Sequence, residues 1–300
     1  MNQQKIEFQK YRDFGQIINA SFEFIKQNFG SLLKSLTFIV GPFLLVTGIL
    51  LGFYQKSIFS LYNMTSLSEM GIVFVLLIIS VFLTVQMLLV TSYSFILIYL
   101  EKQEFFVIQI EEVWEGVKKN FLKVLGITFF LILLSIVAII VFGVLVVVSI
   151  NATSNPFLVF LLFLLWMIPF GYLMVKLTLI YMVSLYEKSG VIQSMQRSFY
   201  LTKNKWWFTF GLVFVLGLIE AFMGFVFQIP QYIVMFATMF NSMDGTGVDG
   251  VTEIIIIVTS VISAFQYLLY FISIIALAFY YFSLVEQKEA KGLLEKIESI

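Results

Sequence analysis

Residues 71–100 read GIVFVLLIISVFLTVQMLLVTSYSFILIYL, thirty consecutive positions without a charged side chain. A helix of about 20 apolar residues crosses the ~30 Å hydrocarbon core of a bilayer, so this stretch is long enough to span a membrane. Five further stretches are similarly apolar: Leu36–Phe53, Val124–Ile150, Phe157–Tyr186, Trp206–Phe240 and Ile254–Val285. The sequence therefore predicts an all-α integral membrane protein with six transmembrane helices.

The composition of the whole chain supports this fold class. Of its 300 residues, 60% are hydrophobic and 12% are charged, and the mean hydropathy is +1.00. Soluble domains carry roughly a quarter of charged residues. Barrel strands in membranes alternate apolar and polar residues over about ten positions. The six stretches are apolar throughout, which favours helices over strands.

Some function classes are disfavoured by the residue types that the sequence lacks. It contains no His and no Cys, so imidazole bases, thiolate nucleophiles and the usual zinc and haem ligands are missing. Eighteen Lys and Arg balance eighteen Asp and Glu, which leaves no net field to attract nucleic acid. We expect a protein that is not an enzyme, holds no metal or other cofactor, and binds no nucleic acid.

The basic residues of the connecting segments predict the orientation. Sixteen of the 18 Lys and Arg residues lie in alternate segments, beginning with the one before the first span; Lys56 lies in an opposite segment and Lys176 within a span. Short segments rich in Lys and Arg stay in the cytoplasm. The first thirty residues do not have the short apolar core of a cleavable signal peptide. We therefore expect a membrane protein with both termini cytoplasmic.

Each cytoplasmic segment before an odd-numbered span repeats the same spacing of apolar residues. Steps of four, four and seven residues, which follow one face of a helix, connect Phe14, Ile18, Phe22 and Phe29, then Phe106, Ile110, Trp114 and Phe121, then Val191, Met195, Phe199 and Trp206. These segments end in the sequences KQNF, KKNF and KNKW, which begin at Lys26, Lys118 and Lys203. The pattern predicts three units, each an amphipathic interfacial helix followed by a transmembrane hairpin.

The three predicted units cover the chain in succession. Unit boundaries fall at residues 1–105, 106–190 and 191–300, and the last unit adds a cytoplasmic tail helix with apolar positions at Leu293, Leu294, Ile297 and Ile300. Asp13 with Gln16 three residues later is typical of a capped helix start, and Gly30 is typical of a helix stop. We therefore expect the first interfacial helix to run between these residues.

The basic residues at the ends of the three interfacial helices have two interpretations. They are candidates for contact with lipid headgroups, since each Lys near an anionic surface contributes about 1 kcal/mol. Alternatively, the helices simply pack on the cytoplasmic ends of the spans. The candidate headgroup contacts are Lys26, Lys118, Lys119, Arg197, Lys203 and Lys205.

The third junction resembles a known family. Residues 187–214 read EKSGVIQSMQRSFYLTKNKWWFTFGLVF, which is similar to the membrane domain fused to some glycerophosphodiester phosphodiesterases and to related uncharacterised polytopic bacterial membrane proteins. The matching residues are Glu187, Gly190, Arg197, Ser198, Leu201, Thr202, Lys203, Trp206, Trp207, Phe210 and Gly211. The resemblance implies a module of membrane repeats in the bacterial cytoplasmic (inner) membrane. It does not extend to phosphodiesterase activity, because the sequence has no room for a catalytic barrel of ~250 residues and no His.

Four polar residues within the spans form a second candidate site. An ionisable group inside a span costs at least ~2.5 kcal/mol and usually faces a partner or a cavity. Lys176 and Glu220 lie ~15 Å and ~21 Å from the cytoplasmic ends of their spans, so a pair between them is geometrically reasonable; Gln86 and Gln266 are further members. The alternative is that Lys176 extends toward the cytoplasmic interface and that the Gln residues connect helices.

Two functions remain open from the sequence. The first is a non-enzymatic membrane subunit or scaffold that binds lipids, other membrane proteins or cytoplasmic subunits at its cytoplasmic face. The second is a transporter or channel for a lipid or a small anionic solute, with Lys176, Glu220, Gln86 and Gln266 along its path.

Overall fold

A computed structural model of the chain describes residues 5–59, 67–102, 107–153, 156–243 and 250–290. Every regular element in these ranges is helical. The α-helices are α1 (Phe14–Ile39), α2 (Gly41–Phe59), α3 (Leu67–Glu101), α4 (Ile110–Thr153), α5 (Pro156–Leu177), α6 (Ile180–Tyr186), α7 (Val191–Leu201), α8 (Trp206–Met243), α9 (Gly250–Ala264) and α10 (Tyr270–Glu289), and a 3₁₀ helix (Phe265–Leu269) joins the last two. The predicted all-α fold class is confirmed.

The number of candidate spans agrees with the sequence. Within the described ranges, five helical segments are long and apolar enough to cross a membrane: Met70–Glu101, Ile110–Asn151, Val159–Tyr186, Trp206–Phe240 and Gly250–Glu289. The pair Phe14–Ile39 and Gly41–Ile58, bent by 55°, is a sixth candidate when it is taken as one broken span. The molecule is thus a helical membrane protein with five or six spans.

Many large apolar side chains on these helices are exposed, which is unfavourable in water. Phe222 of α8 is 82% exposed, and Ile139 and Val148 of α4 are also largely exposed. Large contiguous apolar surfaces on soluble monomers are rare, whereas a span hydrophobic on all sides is suited to lipid. The exposed aliphatic and aromatic residues therefore form the surface that faces the hydrocarbon.

The first predicted span is not straight, because a bend falls inside it. Helix α1 ends at Ile39 and α2 begins at Gly41, so the break lies within the predicted Leu36–Phe53. Pro42, in the first turn of α2, lacks a backbone N–H, and its ring clashes with the carbonyl four residues earlier when a helix continues through it. Proline is tolerated in a first helical turn, which explains why a new helix starts here.

The predicted start of the first interfacial helix is confirmed, whereas its predicted end is wrong. The amide N of Gln16 donates to Asp13 Oδ1 at 2.8 Å, and the amide N of Asp13 donates to Gln16 Oε1 at 3.1 Å, which is a reciprocal capping box. Helix α1 continues through Gly30 to Ile39. A glycine within a helix costs only about 1 kcal/mol relative to alanine, so the apolar residues on either side keep the helix intact.

The other two junctional helices begin with a related device. Glu112 Oε2 accepts from the amide N of Gln109 at 3.0 Å before α4, and Gln193 Oε1 accepts from the amide N of Gly190 at 3.3 Å before α7. In each helix a side chain three residues on thus satisfies the amide that precedes the first turn. Helix α4 then runs without a break from its junctional part into the span, whereas α7 and α8 are separate.

The described chain divides into two compact units, each built from separated stretches of sequence. Unit 1 contains Ser21–Phe121 and Val215–Ile275 together with Lys5, and unit 2 contains Ile6–Ala20, Leu122–Phe214 and the chain from Ala276. In unit 1, α2 packs against α3 and α9; in unit 2, α7 packs against α5 and α6. The threefold division of the sequence stays a prediction, and the predicted tail helix at Leu293–Ile300 lies outside the described residues.

Candidate functional site

The ends of two helices in unit 2 are joined by hydrogen bonds at the third junction. Helix α5 stops at Leu177, and the hydroxyl of Ser198 on α7 donates to the carbonyl O of Lys176 at 2.6 Å. In return, Lys176 Nζ donates to the carbonyl O of Thr202 at 3.2 Å, directly after the last residue of α7. Carbonyls at a helix end lack intrahelical donors, and a cation is favourable there. Lys176 and Ser198 therefore connect the ends of α5 and α7.

Aromatic rings accompany the Lys176 stem. The side chain is 8% exposed, and its Nζ lies 5.5 Å from the centroid of the Tyr172 ring. Tyr172 stacks on Trp206 at 5.6 Å between ring centroids, and Trp206 Nε1 donates to the Tyr172 carbonyl O at 3.3 Å. Lys176 thus has a hydrogen-bond partner and an aromatic neighbour, an arrangement that agrees with the interpretation of a stem extending toward the end of its span.

The other ionisable residue of the predicted intramembrane site has its own partner. Glu220 of α8 is half-buried, and its Oε1 accepts from the amide N of Ser273 on α10 at 3.2 Å. Glu220 and Ser273 belong to unit 1, whereas Lys176 belongs to unit 2. Each charged side chain therefore has a hydrogen-bond partner within its own unit.

The two predicted glutamines both lie in unit 1. Gln86 of α3 is 1% exposed, and Gln266 is half-buried in the 3₁₀ helix. The Oε1 of Gln266 lies 3.4 Å from the position of a Cβ on Gly224 of α8, so Gln266 lies against this helix. These positions fit glutamines that tie helices together.

A polar cluster that the sequence analysis missed connects α2, α8 and α9 in unit 1. Gln231 Nε2 donates to Gln55 Oε1, and the Ser260 hydroxyl donates to Gln231 Oε1 at 3.2 Å. On α2 and α9 as well, Lys56, the residue after Gln55, and Glu253 form an ion pair of 2.7 Å. Single glutamines and serines scattered through apolar sequence do not reveal which of them will meet.

Two glycines explain why α2 and α9 lie so close to one another. A Cβ on Gly48 would lie 2.5 Å from Val261 Cα, and a Cβ on Gly52 would lie 2.7 Å from Ile257 Cα. Such distances leave room for a hydrogen atom only. The two glycines form a GxxxG motif, which lets helix backbones approach in membranes, and this spacing was available in the sequence as a signal.

Arg197, one of the predicted headgroup contacts, is held by two carboxylates. Its Nε donates to Glu187 Oε1 at 2.9 Å, its Nη1 donates to Glu289 Oε1, and the Tyr281 hydroxyl donates to Glu187 Oε1 at 2.7 Å. The hydrogen bond that Arg197 donates to Glu289, together with the one it donates to Glu187, raises the pKa of Arg197 above its ordinary value. The guanidinium therefore joins α7 to α10 and to the residue after α6.

The remaining predicted headgroup contacts lie at least partly on the surface, on segments that also carry exposed aromatic rings. Lys26, Lys118, Lys119 and Lys203 are exposed and Lys205 is half-exposed. Exposed aromatic side chains occur on the same three junctional segments: Phe22, Phe29, Trp114 and Trp207, the last of them 77% exposed. The ammonium of Lys118 lies 5.6 Å from the centroid of the Trp114 ring. Lysine beside tryptophan is the usual composition of a membrane interface.

Comparisons with known proteins found no significant match: no protein-family model matches the chain, and no curated protein and no solved structure is significantly similar to it. Among the described residues, no group of three or more acidic side chains is placed to hold a metal ion.

Proposed function

We propose that the chain is a non-enzymatic multi-pass protein of the bacterial inner membrane that binds anionic lipid headgroups at its cytoplasmic face and serves there as a subunit for partner proteins. The observation that carries the proposal is the occurrence of both exposed lysines and exposed aromatic rings on all three junctional segments. An aromatic ring stabilises a position in the headgroup layer, and a lysine beside it attracts a phosphate.

The expected size of the lipid effect follows from the number of exposed lysines. Each Lys near an anionic surface contributes about 1 kcal/mol, so Lys26, Lys118, Lys119 and Lys203 together contribute about 4 kcal/mol at low salt. This electrostatic attraction weakens over a Debye length of about 8 Å at physiological ionic strength. The proposal therefore includes a strong dependence of anionic-lipid binding on salt.

The contacts of the intramembrane residues favour this function over transport. Lys176 donates to the Thr202 carbonyl and Glu220 accepts from Ser273, and both are contacts that hold helix ends or neighbouring helices. The sequence resemblance to membrane modules of glycerophosphodiester phosphodiesterases is part of the proposal. It is supported by the fact that four of its residues, Glu187, Arg197, Ser198 and Thr202, contribute to the contacts of unit 2 described above.

Native mass spectrometry of the full chain, released from nanodiscs of mixed phosphatidylglycerol and phosphatidylcholine, tests the proposal. We expect the wild type to retain phosphatidylglycerol preferentially. Changing Lys26, Lys118, Lys119 and Lys203 to Gln should remove most of that preference. The control variant changes Lys10 and Lys188, which are exposed lysines outside the junctional helices, and should keep most of it. Equal lipid retention by the wild type and the fourfold variant would refute the proposal.

A further inference from the structure

A cavity of about 520 Å³ lies in unit 1 where the first and second junctional segments meet. Its walls come from α1 between Gln27 and Lys34 and from the stretch Val107–Glu111, where α4 begins. Ligand sites in proteins usually have volumes of about 300–1,000 Å³. The cavity is therefore large enough for a small polar group, and it lies within the segments that we assign to the headgroup layer.

Two opposite charges, Lys34 and Glu111, line this cavity. Lys34 and Glu111 have no ion pair or side-chain hydrogen bond with any other described residue. Directly beside them, Lys102 and Glu112 pair with one another at 2.8 Å. A ligand that carries both a negative and a positive group would complement Lys34 and Glu111 together, whereas a simple anion would leave the carboxylate facing a like charge.

The surroundings of the cavity are apolar and exposed. Val107, which lines it, is 74% exposed, and Phe29 and Leu33 are exposed on α1 next to the lining residues Gly30 and Lys34. Exposed aliphatic and aromatic side chains around a polar site suit an amphiphile whose chains continue into the bilayer. A fully soluble zwitterion would gain nothing from them.

Gly30 keeps the α1 wall of the cavity open. It lies in the interior of α1, and a Cβ built on it would have no neighbouring atom within 4 Å. Alanine at an exposed position within a helix is more favourable than glycine. Because Gly30 lines the cavity and a Cβ there meets no other atom, residue 30 is a suitable place to introduce a larger side chain as a test of whether the cavity can be blocked.

We infer that this cavity binds the headgroup of a zwitterionic phospholipid of the phosphoethanolamine type. Lys34 binds the lipid phosphate, Glu111 accepts hydrogen bonds from the lipid ammonium, and Val107 and Phe29 contact the upper parts of the acyl chains. The inference rests on the proposed lipid-binding function but adds a separate site, because Lys34 and Glu111 are not among the lysines assigned to anionic lipid.

Binding of a short-chain phosphatidylethanolamine to the full chain in detergent tests this site. We expect Lys34→Gln, Glu111→Gln and Gly30→Leu each to weaken binding about tenfold, and the matched controls Lys10→Gln and Glu115→Gln, both at exposed positions, to bind as the wild type does. Short-chain phosphatidylcholine, whose quaternary ammonium has no N–H to donate, should bind more weakly than phosphatidylethanolamine to the wild type. Gly30→Ala, which favours the helix, shows whether a loss in Gly30→Leu comes from filling the cavity rather than from unfolding.

The outcomes separate this inference from the proposed function. Wild-type affinity for phosphatidylethanolamine in Glu111→Gln and Gly30→Leu would overturn the inference, even if the fourfold lysine variant loses phosphatidylglycerol. Loss of phosphatidylethanolamine in these variants supports it, even if the fourfold variant still retains phosphatidylglycerol and the proposed function fails. Soluble phosphoethanolamine should not compete at millimolar concentration; effective competition would overturn the assignment to a lipid and identify the free headgroup as the ligand.

Discussion

The ammonium group of Lys176 lies 3.2 Å from the carbonyl oxygen of Thr202, while the carbonyl oxygen of Lys176 itself accepts from Ser198 at 2.6 Å. Lys176 thus takes part in two hydrogen bonds between the ends of α5 and α7, as the donor in one and the acceptor in the other. The hydroxyl of Thr202 in turn donates to the Ser198 carbonyl O at 2.8 Å. An ionisable group that is costly within a span here satisfies a helix end, which explains how it is tolerated.

We predict that Lys176→Met lowers the stability of the chain by about 1.5–3 kcal/mol, because a hydrogen bond from a charged donor of this kind is worth that much. Methionine keeps an unbranched apolar stem but cannot donate to Thr202. The midpoint of thermal unfolding in detergent, followed by loss of the monodisperse fraction, measures the effect. Lys203→Met changes an exposed lysine on the same junction and is the control; the same midpoint in Lys176→Met as in the wild type would contradict the prediction.

The fold class could be predicted from the sequence because one property, apolar length, decides it. Thirty uncharged, mostly apolar residues before Glu101 are long enough to indicate a transmembrane helix. The capped start at Asp13 depends on residues only three positions apart. The bend before Pro42 was also accessible from the lack of a backbone N–H at proline. These features are local, so they need no knowledge of what the helix packs against.

The contacts within the units could not be read from the sequence in the same way. The depths of Lys176 and Glu220 made a pair between them geometrically reasonable, but depth does not determine the direction in which a side chain extends. The sequence did not indicate the backbone contact that each of them makes within its own unit. The Arg197 contact joins residues 92 positions apart, since its second carboxylate is Glu289. Pairings of this kind depend on helix packing, which the periodicity of a single helix does not specify.

We predict that Gly48→Leu and Gly52→Leu each destabilise unit 1 by separating α2 from α9. A Cβ at these positions would lie 2.5 Å and 2.7 Å from backbone Cα atoms, and backbone cannot move aside as a flexible side chain can. Overpacking typically costs about 1–3 kcal/mol, and backbone contact places these variants at the upper end. Thermal unfolding midpoints in detergent would measure the loss.

The matched control for the two glycine variants is Gly217→Ala on α8. No atom lies within 4 Å of a Cβ at Gly217, so alanine there should leave the unfolding midpoint unchanged or raise it, by about 1 kcal/mol at most. If Gly48→Ala is as stable as Gly217→Ala, close backbone packing between α2 and α9 is refuted.

We predict that the Arg197 contact is insensitive to pH between 7 and 10 in the wild type. Arg197 donates hydrogen bonds to Glu289 and Glu187, and these raise its pKa. The contribution of the contact to stability is therefore complete below the ordinary arginine pKa, which lies well above this pH range, and declines only as the pH rises through the still higher folded value. Arg197→Lys should be less stable by about 1 kcal/mol at pH 7, since lysine cannot donate in the same fork. Its remaining contribution should decline above pH 10, near the ordinary lysine pKa of about 10.4. A wild-type unfolding midpoint that falls between pH 7 and 10 in parallel with that of Arg197→Lys would count against this account.

The orientation predicted from the basic residues has a direct test, because the sequence contains no Cys and each introduced thiol is the only one. Lys119→Cys and Lys203→Cys place thiols at exposed positions of two junctional segments, and Val251→Cys places one at an exposed position of α9 on the predicted outer side. In intact spheroplasts, a membrane-impermeant maleimide should label Val251→Cys at once and the other two only after permeabilisation.

The 2.7 Å ion pair between Lys56 and Glu253 agrees with the predicted orientation. Both residues fall in segments that the charge distribution assigns to the outer side, so their contact within unit 1 requires them to share one side of the membrane. Glu253 in turn accounts for the placement of Lys56, the one basic residue outside the cytoplasmic segments and the spans, since Lys and Arg in outer segments are otherwise disfavoured. The predicted orientation places both Lys119→Cys and Lys203→Cys on the cytoplasmic side of the membrane. Labelling of the two thiols from opposite sides would therefore refute this orientation and the proposed lipid-binding face.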